Sequence, residues 1–417
     1  MLTKRNKQSF LDIKSTSILK KFHKTLKTQK QTKIQTKTQN KTYTKIETGK
    51  TQNKTYTHII EYIFAKTDLE QWTYQDIYKL LSSTSQNSNC MIDIMLYTKT
   101  FSAFIHIENG KHKIVKISPI SFFSEKTFQS FIEIIKKNQE KYQKDSKKDL
   151  EKLNSIFVFG GHCNGWKCYT DDYTVDFEMI YNTFIKNNMK FNAICFDCCY
   201  SSTFELLYQF HDLTDYIIAH QSYVYGNGFN TRNLSKIFNI DSNNSNNNSN
   251  NISFIEKLII LCMDYLVRTI DEEKEFSNFT IIDTYHFKDF LKLFKENYKS
   301  ILGVIHNKKS KKFLSDVCNK CLIDNSDSNI INNPENKNNE QSIYNNMLDL
   351  FSVIKILGNK KLIELFKKSV FYRENDIKKD GKYFNQNMKL NGINIIINPP
   401  DSKSNKYYLN LRFFKDF

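Results

Sequence analysis

Short apolar runs bounded by polar clusters recur along this chain, separated by stretches in which apolar residues return every third or fourth position. That alternation predicts buried strands and amphipathic helices in turn, the signature of an α/β fold with a mostly parallel sheet. HIIEYIF (58–64) reads as the first strand, with Asp68 as the cap of a helix running through Leu81. MIDIMLY (91–97) is a second strand, and residues 101–117 fold back as a hairpin about Asn109 and Gly110. A helix is predicted over 128–138, and the charged run 139–152 reads as a solvated loop. Further helices fall near 175–186, 203–210 and 254–270, and FTIID precedes a helix capped by Asp283. Near the C-terminus, helices are expected around 343–357 and 360–370, followed by β runs at 392–400 and 407–414.

Two of the apolar runs break abruptly into small and polar residues: SIFVFGGHCNGW (155–166) and NAICFDCCYSSTFE (192–205). Each reads as a buried parallel strand running out into a loop, and in open α/β sheets chemistry gathers beyond the carboxyl ends of the strands. His162 lies just past the first run and Cys199 just past the second. A nucleophilic thiol and a proton-shuttling imidazole need only be neighbours in space, so two such loops could supply both. The plainer alternatives are a capping histidine and a small apolar core cysteine. Gly161, Gly165 and Trp166 around the histidine, and Asp197 two residues before the cysteine, favour the catalytic reading.

At these residues the chain resembles the clostripain family of caspase-like cysteine peptidases. His162, Cys163, Asn164, Gly165 and Trp166 resemble its His-Gly-x-Gly-Trp motif; Asp197, Cys198 and Cys199, with Glu205 downstream, resemble Asp-Ala-Cys followed by a helical Glu. The opening strand with Ala65 to Glu70, the Gly228–Phe229 segment and the C-terminal β runs resemble further family blocks in the family's order. The resemblance implies a three-layer sandwich with a mostly parallel central sheet flanked by helices, plus a C-terminal helical and β extension. It further implies His162 as catalytic base and acid, Cys199 as nucleophile, and the backbone N–H groups of Cys163 and Cys199 as oxyanion donors. Asp197, Gly228 and Phe229 are then substrate-binding residues, with cleavage after Arg or Lys. Cys163 stands where the family has glycine, and Tyr200, Ser201 and Ser202 depart from the family's apolar and glycine positions. The family also suggests a loop near 139–152 cut by the enzyme itself after a basic residue.

A metal reading competes for the same residues. His162, Cys163, Cys168, Cys195, Cys198 and Cys199 are all zinc-ligand types, and Cys318 and Cys321 form a further C-x-x-C. Their spacings match neither ribbon nor finger, so no metal site and no cofactor are expected; the resemblance alone leaves calcium open.

Composition changes the picture in one place. The net charge of +17 suggests a nucleic-acid partner until it is located. Residues 1–57 hold fifteen Lys and Arg against Asp12 and Glu47, while the remainder is nearly balanced, 46 basic against 42 acidic. The expected organisation is therefore a disordered basic tail (1–57), with the capacity for weak polyanion binding, and a peptidase domain (58–302) with an Asn/Ser-rich insertion at 239–252. An extension (303–417), broken by low complexity at 324–341, packs on the same domain. No apolar run is long enough for a membrane span and no leader is evident, and nine unevenly placed cysteines argue against a disulfide framework, so an intracellular location is expected. Polypeptide is the expected substrate. The alternatives are an inactive relative that binds proteins in the same cleft, and an RNA- or polyanion-associated protein acting through its tail.

Overall fold

The structure, a computed structural model, describes residues 56–82, 90–99, 102–108, 111–118, 122–145, 153–165, 167–170, 173–221, 224, 228–229, 231–238, 253–271, 279–307, 309–310, 347–374, 378–379, 382–383, 392–396 and 411–416. The strands are β1 (Tyr56–Phe64), β2 (Cys90–Tyr97), β3 (Ser102–Glu108), β4 (Lys111–Ile117), β5 (Leu153–Asn164), β6 (Lys167–Tyr169) and β7 (Phe191–Asp197). They continue with β8 (Thr214–Ala219), β9 (Phe279–Asp283), β10 (Met347–Asp349), β11 (Val370–Glu374), β12 (Lys378–Lys379), β13 (Lys382–Tyr383) and β14 (Asn394–Ile396). The helices are α1 (Glu70–Ser82), α2 (Glu125–Asp145), α3 (Phe177–Lys186), α4 (Phe204–Phe210) and α5 (Thr231–Phe238). Then come α6 (Phe254–Asp271), α7 (Thr284–His306), α8 (Leu350–Leu357), α9 (Lys360–Ser369) and α10 (Arg412–Asp416).

The central sheet runs β11, β9, β8, β7, β5, β1, β2, β3, β4, with β6 paired to the outer end of β5. Its middle five strands, β8 to β2, are parallel, and antiparallel strands close both sides. The middle strands are apolar on both faces because both faces are covered. On one face, Ile60, Tyr62, Phe64, Phe157, Phe159, Ile194 and Phe196 join α2, α3, α4 and α7 in a continuous aromatic core. Phe159 stacks on Phe196 with ring centroids 4.9 Å apart; Phe177 meets Phe159 edge-on, and Phe210 lies tilted against both stacked rings. The other face buries Ile59, Ile156, Ala193 and Cys195; Cys262 of α6 lies against Cys195, and α5 links α6 to α1. The result is the α/β fold with a mostly parallel sheet expected from the alternation of strands and helices, arranged as the three-layer sandwich that the resemblance implies.

Local chemistry accounts for several element ends. Asp283 caps α7 by accepting from the backbone N–H of Tyr285 and His286, and Asp349 and Asn359 cap α8 and α9 in the same way. Gly358, at φ +73°, ends α8 in the left-handed conformation.

Some expectations are corrected. The helix over 128–138 is longer at both ends, so residues 139–145 are the last two turns of α2 and not loop; Phe131, Ile132 and Ile135 anchor it firmly enough to carry a charged end into solvent. Residues 347–349, expected as helix, form β10 because β14 offers them an antiparallel partner. Residues 412–414, expected as β, lie in α10, whose Phe413 packs against Phe204 and Tyr208 of α4. Tyr56 and Thr57, assigned to the tail, are buried in β1. The remaining tail residues, the turn at Asn109 and Gly110, Trp166, the insertion 239–252, the break 324–341, Cys318, Cys321 and residues 407–410 lie outside the described residues.

Candidate active site

β5 and β7 are adjacent and parallel, and their last main-sheet register pair is Gly160 with Asp197. His162 lies two residues beyond Gly160, and Cys199 two residues beyond Asp197. Neighbouring strands are about 4.8 Å apart, so both residues leave the sheet at one place on its carboxyl edge. Their routes differ from the expected pair of loops. Beyond Gly160, β5 continues as strand to Asn164 and pairs antiparallel with β6, His162 facing Tyr169 and Cys163 facing Cys168 in register. Gly161, at φ +152°, permits this change of direction: a Cβ there would sit 2.3 Å from the Phe64 ring and 2.9 Å from the Phe64 carbonyl oxygen. After β7 the chain turns at Tyr200, at φ +54°, and enters α4.

His162 is held from one side. Its Nε2 lies 2.7 Å from Oδ1 of Asp68, in the turn between β1 and α1, and its ring is 6.2 Å from that of Tyr169 at 24°. Asp68 thus orients the imidazole rather than serving as the expected helix cap. Burial would raise the Asp68 carboxyl, but the hydrogen bond and charge of His162 outweigh it and hold it below the ordinary value. With Nε2 occupied, Nδ1 is the ring nitrogen left for a reacting group.

The Cys199 sulfur is half-buried. It accepts the backbone N–H of Val224 at 3.2 Å and lies 3.6 Å from the Val224 carbonyl oxygen. Burial pushes its thiol up to about 11; the contact with Val224 counteracts this, while the nearby charges of Asp197 and Asp68 add to it. Asp68 therefore lies within electrostatic reach of both His162 and Cys199.

Asp197, Gly228 and Phe229 also come together. Oδ2 of Asp197 accepts the Phe229 N–H at 2.7 Å, and a Cβ on Gly228, at φ +38°, would meet that carboxylate at 2.1 Å. Phe229 is buried between His220 and Tyr265. Ser201 and Ser202 are fully buried and structural: the Ser201 hydroxyl donates to the Cys198 carbonyl and accepts from His220 N–H, and Ser202 binds the Gly392 carbonyl. The Gln221 side chain binds Asp349 and Asn394 nearby, so the nucleophile loop is fastened to the C-terminal segment.

The model of the clostripain family matches residues 61–417. The chain belongs to the clostripain family. This clostripain-family chain is accordingly a cysteine-type peptidase, and its substrates are polypeptides. An inactive zymogen C11 protease from Parabacteroides distasonis is similar over 86% of this chain and 97% of its own, at 16% identity and a TM-score of 0.53. A secreted C11 cysteine protease from Bacteroides thetaiotaomicron, in complex with an irreversible peptide inhibitor, is similar over 87% and 99%, at 12% identity and 0.52. Another structure of a secreted protease from that organism, iotapain, gives 82% and 93%, 14% identity and 0.54. No curated protein matches the sequence. At these identities the likeness establishes the caspase-like fold, in which this clostripain relative carries His162 and Cys199 on the carboxyl edge.

Asp68 is the partner of His162 that sequence reasoning missed, because capping explained it locally. Its distance of 94 residues from His162 left no local signal. Among the described residues, the one grouping of His, Cys, Asp and Glu close enough to hold an ion is Cys163, Cys168 and Cys198. Those soft donors do not suit calcium, which takes oxygen ligands. No described helix is long and apolar enough to cross a membrane.

Proposed function

We propose that this peptidase is an endopeptidase using Cys199 as nucleophile and His162 as general base and acid, cutting after Arg or Lys. The observation that carries the reading is the common exit of the two residues from adjacent parallel strands, with the imidazole oriented through Nε2 by Asp68. In this mechanism the Cys199 thiol passes its proton to Nδ1 of His162 as sulfur attacks the scissile carbonyl carbon. The oxyanion that forms is held by the backbone N–H groups of Cys199 and Cys163. Supporting Cys163 as donor, its Cα lies 4.0 Å from that of Cys168, the close spacing of a non-hydrogen-bonded antiparallel pair, whose N–H groups point away from the partner strand. The Cys168 carbonyl accordingly accepts from Val175, on its other side. As the tetrahedral intermediate collapses, the C–N bond breaks and His162 returns the proton to the leaving amine. Water, deprotonated by His162, then hydrolyses the thioester and restores the thiol.

The basic preference rests on Asp197. Its carboxylate adjoins the nucleophile and the Gly228–Phe229 segment, where a charge-assisted pair with a guanidinium or ammonium would select the residue before the scissile bond. Irreversible peptide probes ending in arginine or lysine test this: labelling of the full chain, lost in Cys199→Ala and in His162→Ala, is the expected result. Labelling by an alanine-ending probe at an equal rate would refute the basic preference, and absence of labelling by all of them would refute the dyad.

A further inference from the structure

The cluster under the catalytic edge consists of three sulfurs from two separate segments. Cys163 and Cys168 face each other across the β5–β6 hairpin and are joined as a disulfide. Cys198 comes from the turn after β7, and its sulfur lies within 4.8 Å of both. All three residues are buried, at 4%, 0% and 1% exposure. Cys198 is seated on β5 as well, 3.5 Å from the Phe159 carbonyl oxygen and in contact with the Gly161 backbone. The hairpin sets the separation of the first pair, whereas the third sulfur arrives only through the β5–β7 pairing. Nothing in chain spacing requires the three to meet.

We propose that, when Cys163 and Cys168 are reduced, these three cysteines bind one thiophilic d10 cation of the Zn2+ class. Three thiolates on a tetrahedral ion with Zn–S bonds of about 2.3 Å lie about 3.8 Å from one another, so on reduction the Cys163 and Cys168 sulfurs must part from bonding distance, while Cys198, already within 4.8 Å of both, needs to move in by no more than about 1 Å. Softness of the donors favours such an ion over Mg2+ or Ca2+. The disulfide and the metal complex are alternative states of the same sulfurs. Opening the site takes two electrons and two protons from a dithiol, which becomes its own disulfide, while the Cys163–Cys168 bond becomes two thiols. Binding then releases three thiol protons and forms three metal–sulfur bonds, an exogenous donor completing the coordination. The ion would join the residue after His162 to the residue before Cys199. This inference is independent of whether the dyad is active.

The test uses the full chain carrying Cys199→Ala, which removes the remaining cysteine nearby as a ligand. Reduction is by a water-soluble phosphine, which leaves as its oxide with oxygen from water, adds no thiol ligand and is removed before the metal is introduced. Equilibrium dialysis against Zn2+, followed by metal analysis, should give one ion per reduced chain and none per oxidised chain. Co2+ in place of Zn2+ should give a thiolate-to-cobalt charge-transfer band in the near ultraviolet. Cys198→Ala and Cys168→Ser should each weaken binding by more than the roughly 100-fold that second-shell changes cost. Circular dichroism of each apo variant, compared with the parent, separates lost ligation from lost folding. Absence of a one-to-one complex in the reduced chain overturns the proposal. So does binding that survives both substitutions, or binding abolished by His162→Ala but retained in Cys198→Ala.

Discussion

Cys199 should react with alkylating agents like a thiol that is almost wholly protonated at neutral pH. Its sulfur is half-buried, engaged by the Val224 backbone and flanked by the charges of Asp197 and Asp68, which together place its thiol at about 11 against an ordinary 9.0. Two pKa units correspond to about a 100-fold smaller thiolate fraction at pH 7, near 0.01% instead of about 1%. The perturbation is pH, the reagent a small neutral haloacetamide, and the assay mass-spectrometric quantitation of the Cys199 peptide in the full chain between pH 6 and 10. The rate should climb about tenfold per pH unit across the range without levelling. Asp197→Asn, by removing one opposing charge, should raise the neutral-pH rate. Such a profile means that His162 deprotonates the thiol during attack and that no thiolate–imidazolium pair exists beforehand. A plateau beginning at or below pH 8.5 would refute the reasoning, because it would show that the positive field of His162 prevails over burial and the two carboxylates.

Other outcomes follow from the same geometry. Asp68→Asn should lower kcat by at least about tenfold with little change in KM, since the imidazole loses its orienting charge while the substrate contacts remain; steady-state kinetics with an arginyl peptide would show this, and an equal effect on KM would contradict it. Gly228→Ala should reduce kcat/KM sharply in steady-state assays and also lower the melting temperature, because at this buried position the new Cβ would meet the Asp197 carboxylate at 2.1 Å. Glu205 is fully buried, and burial pushes its carboxyl up to about 8 despite the N–H of Ile396. The folded chain therefore keeps a proton that the unfolded chain loses above about 4.5, so the stability linked to this group falls as pH rises from there to 8 and levels off beyond; the shift corresponds to about 5 kcal/mol at most. Glu205→Gln should flatten that pH dependence in urea melts, and an unchanged slope would disprove the assignment. Phe159→Ala, at the stacked centre of the aromatic core, should cost about 3–5 kcal/mol in the same assay.

Periodicity along the chain was enough to find the strands that make this site. Runs such as IFVF (156–159) and AICF (193–196) are buried on both faces, and only a parallel sheet covered by helices asks for that. The exits of those strands, and hence His162 and Cys199 as a candidate pair, could be read from where apolar residues give way to small and polar ones. The capping roles of Asp283 and the strand at 279–283 were also local enough to read. Ends that depend on a distant partner were not: β10 is strand only because β14 lies beside it, and α10 is helix because α4 offers it an apolar face.

Two decisions belonged to tertiary structure alone. Asp68, an ordinary helix-start residue by sequence, became the partner of an imidazole 94 positions away because the end of β1 lies beside the end of β5. Cys163, Cys168 and Cys198, whose spacing fits no known metal motif, became one cluster because a hairpin and a parallel strand pair deliver them to the same point. Chain spacing governs which side chains share a helix or strand face, since that periodicity is a property of the local backbone. Which faces and ends then meet depends on packing contacts between elements remote in sequence, and that is where the chemistry of this clostripain-family chain is assembled.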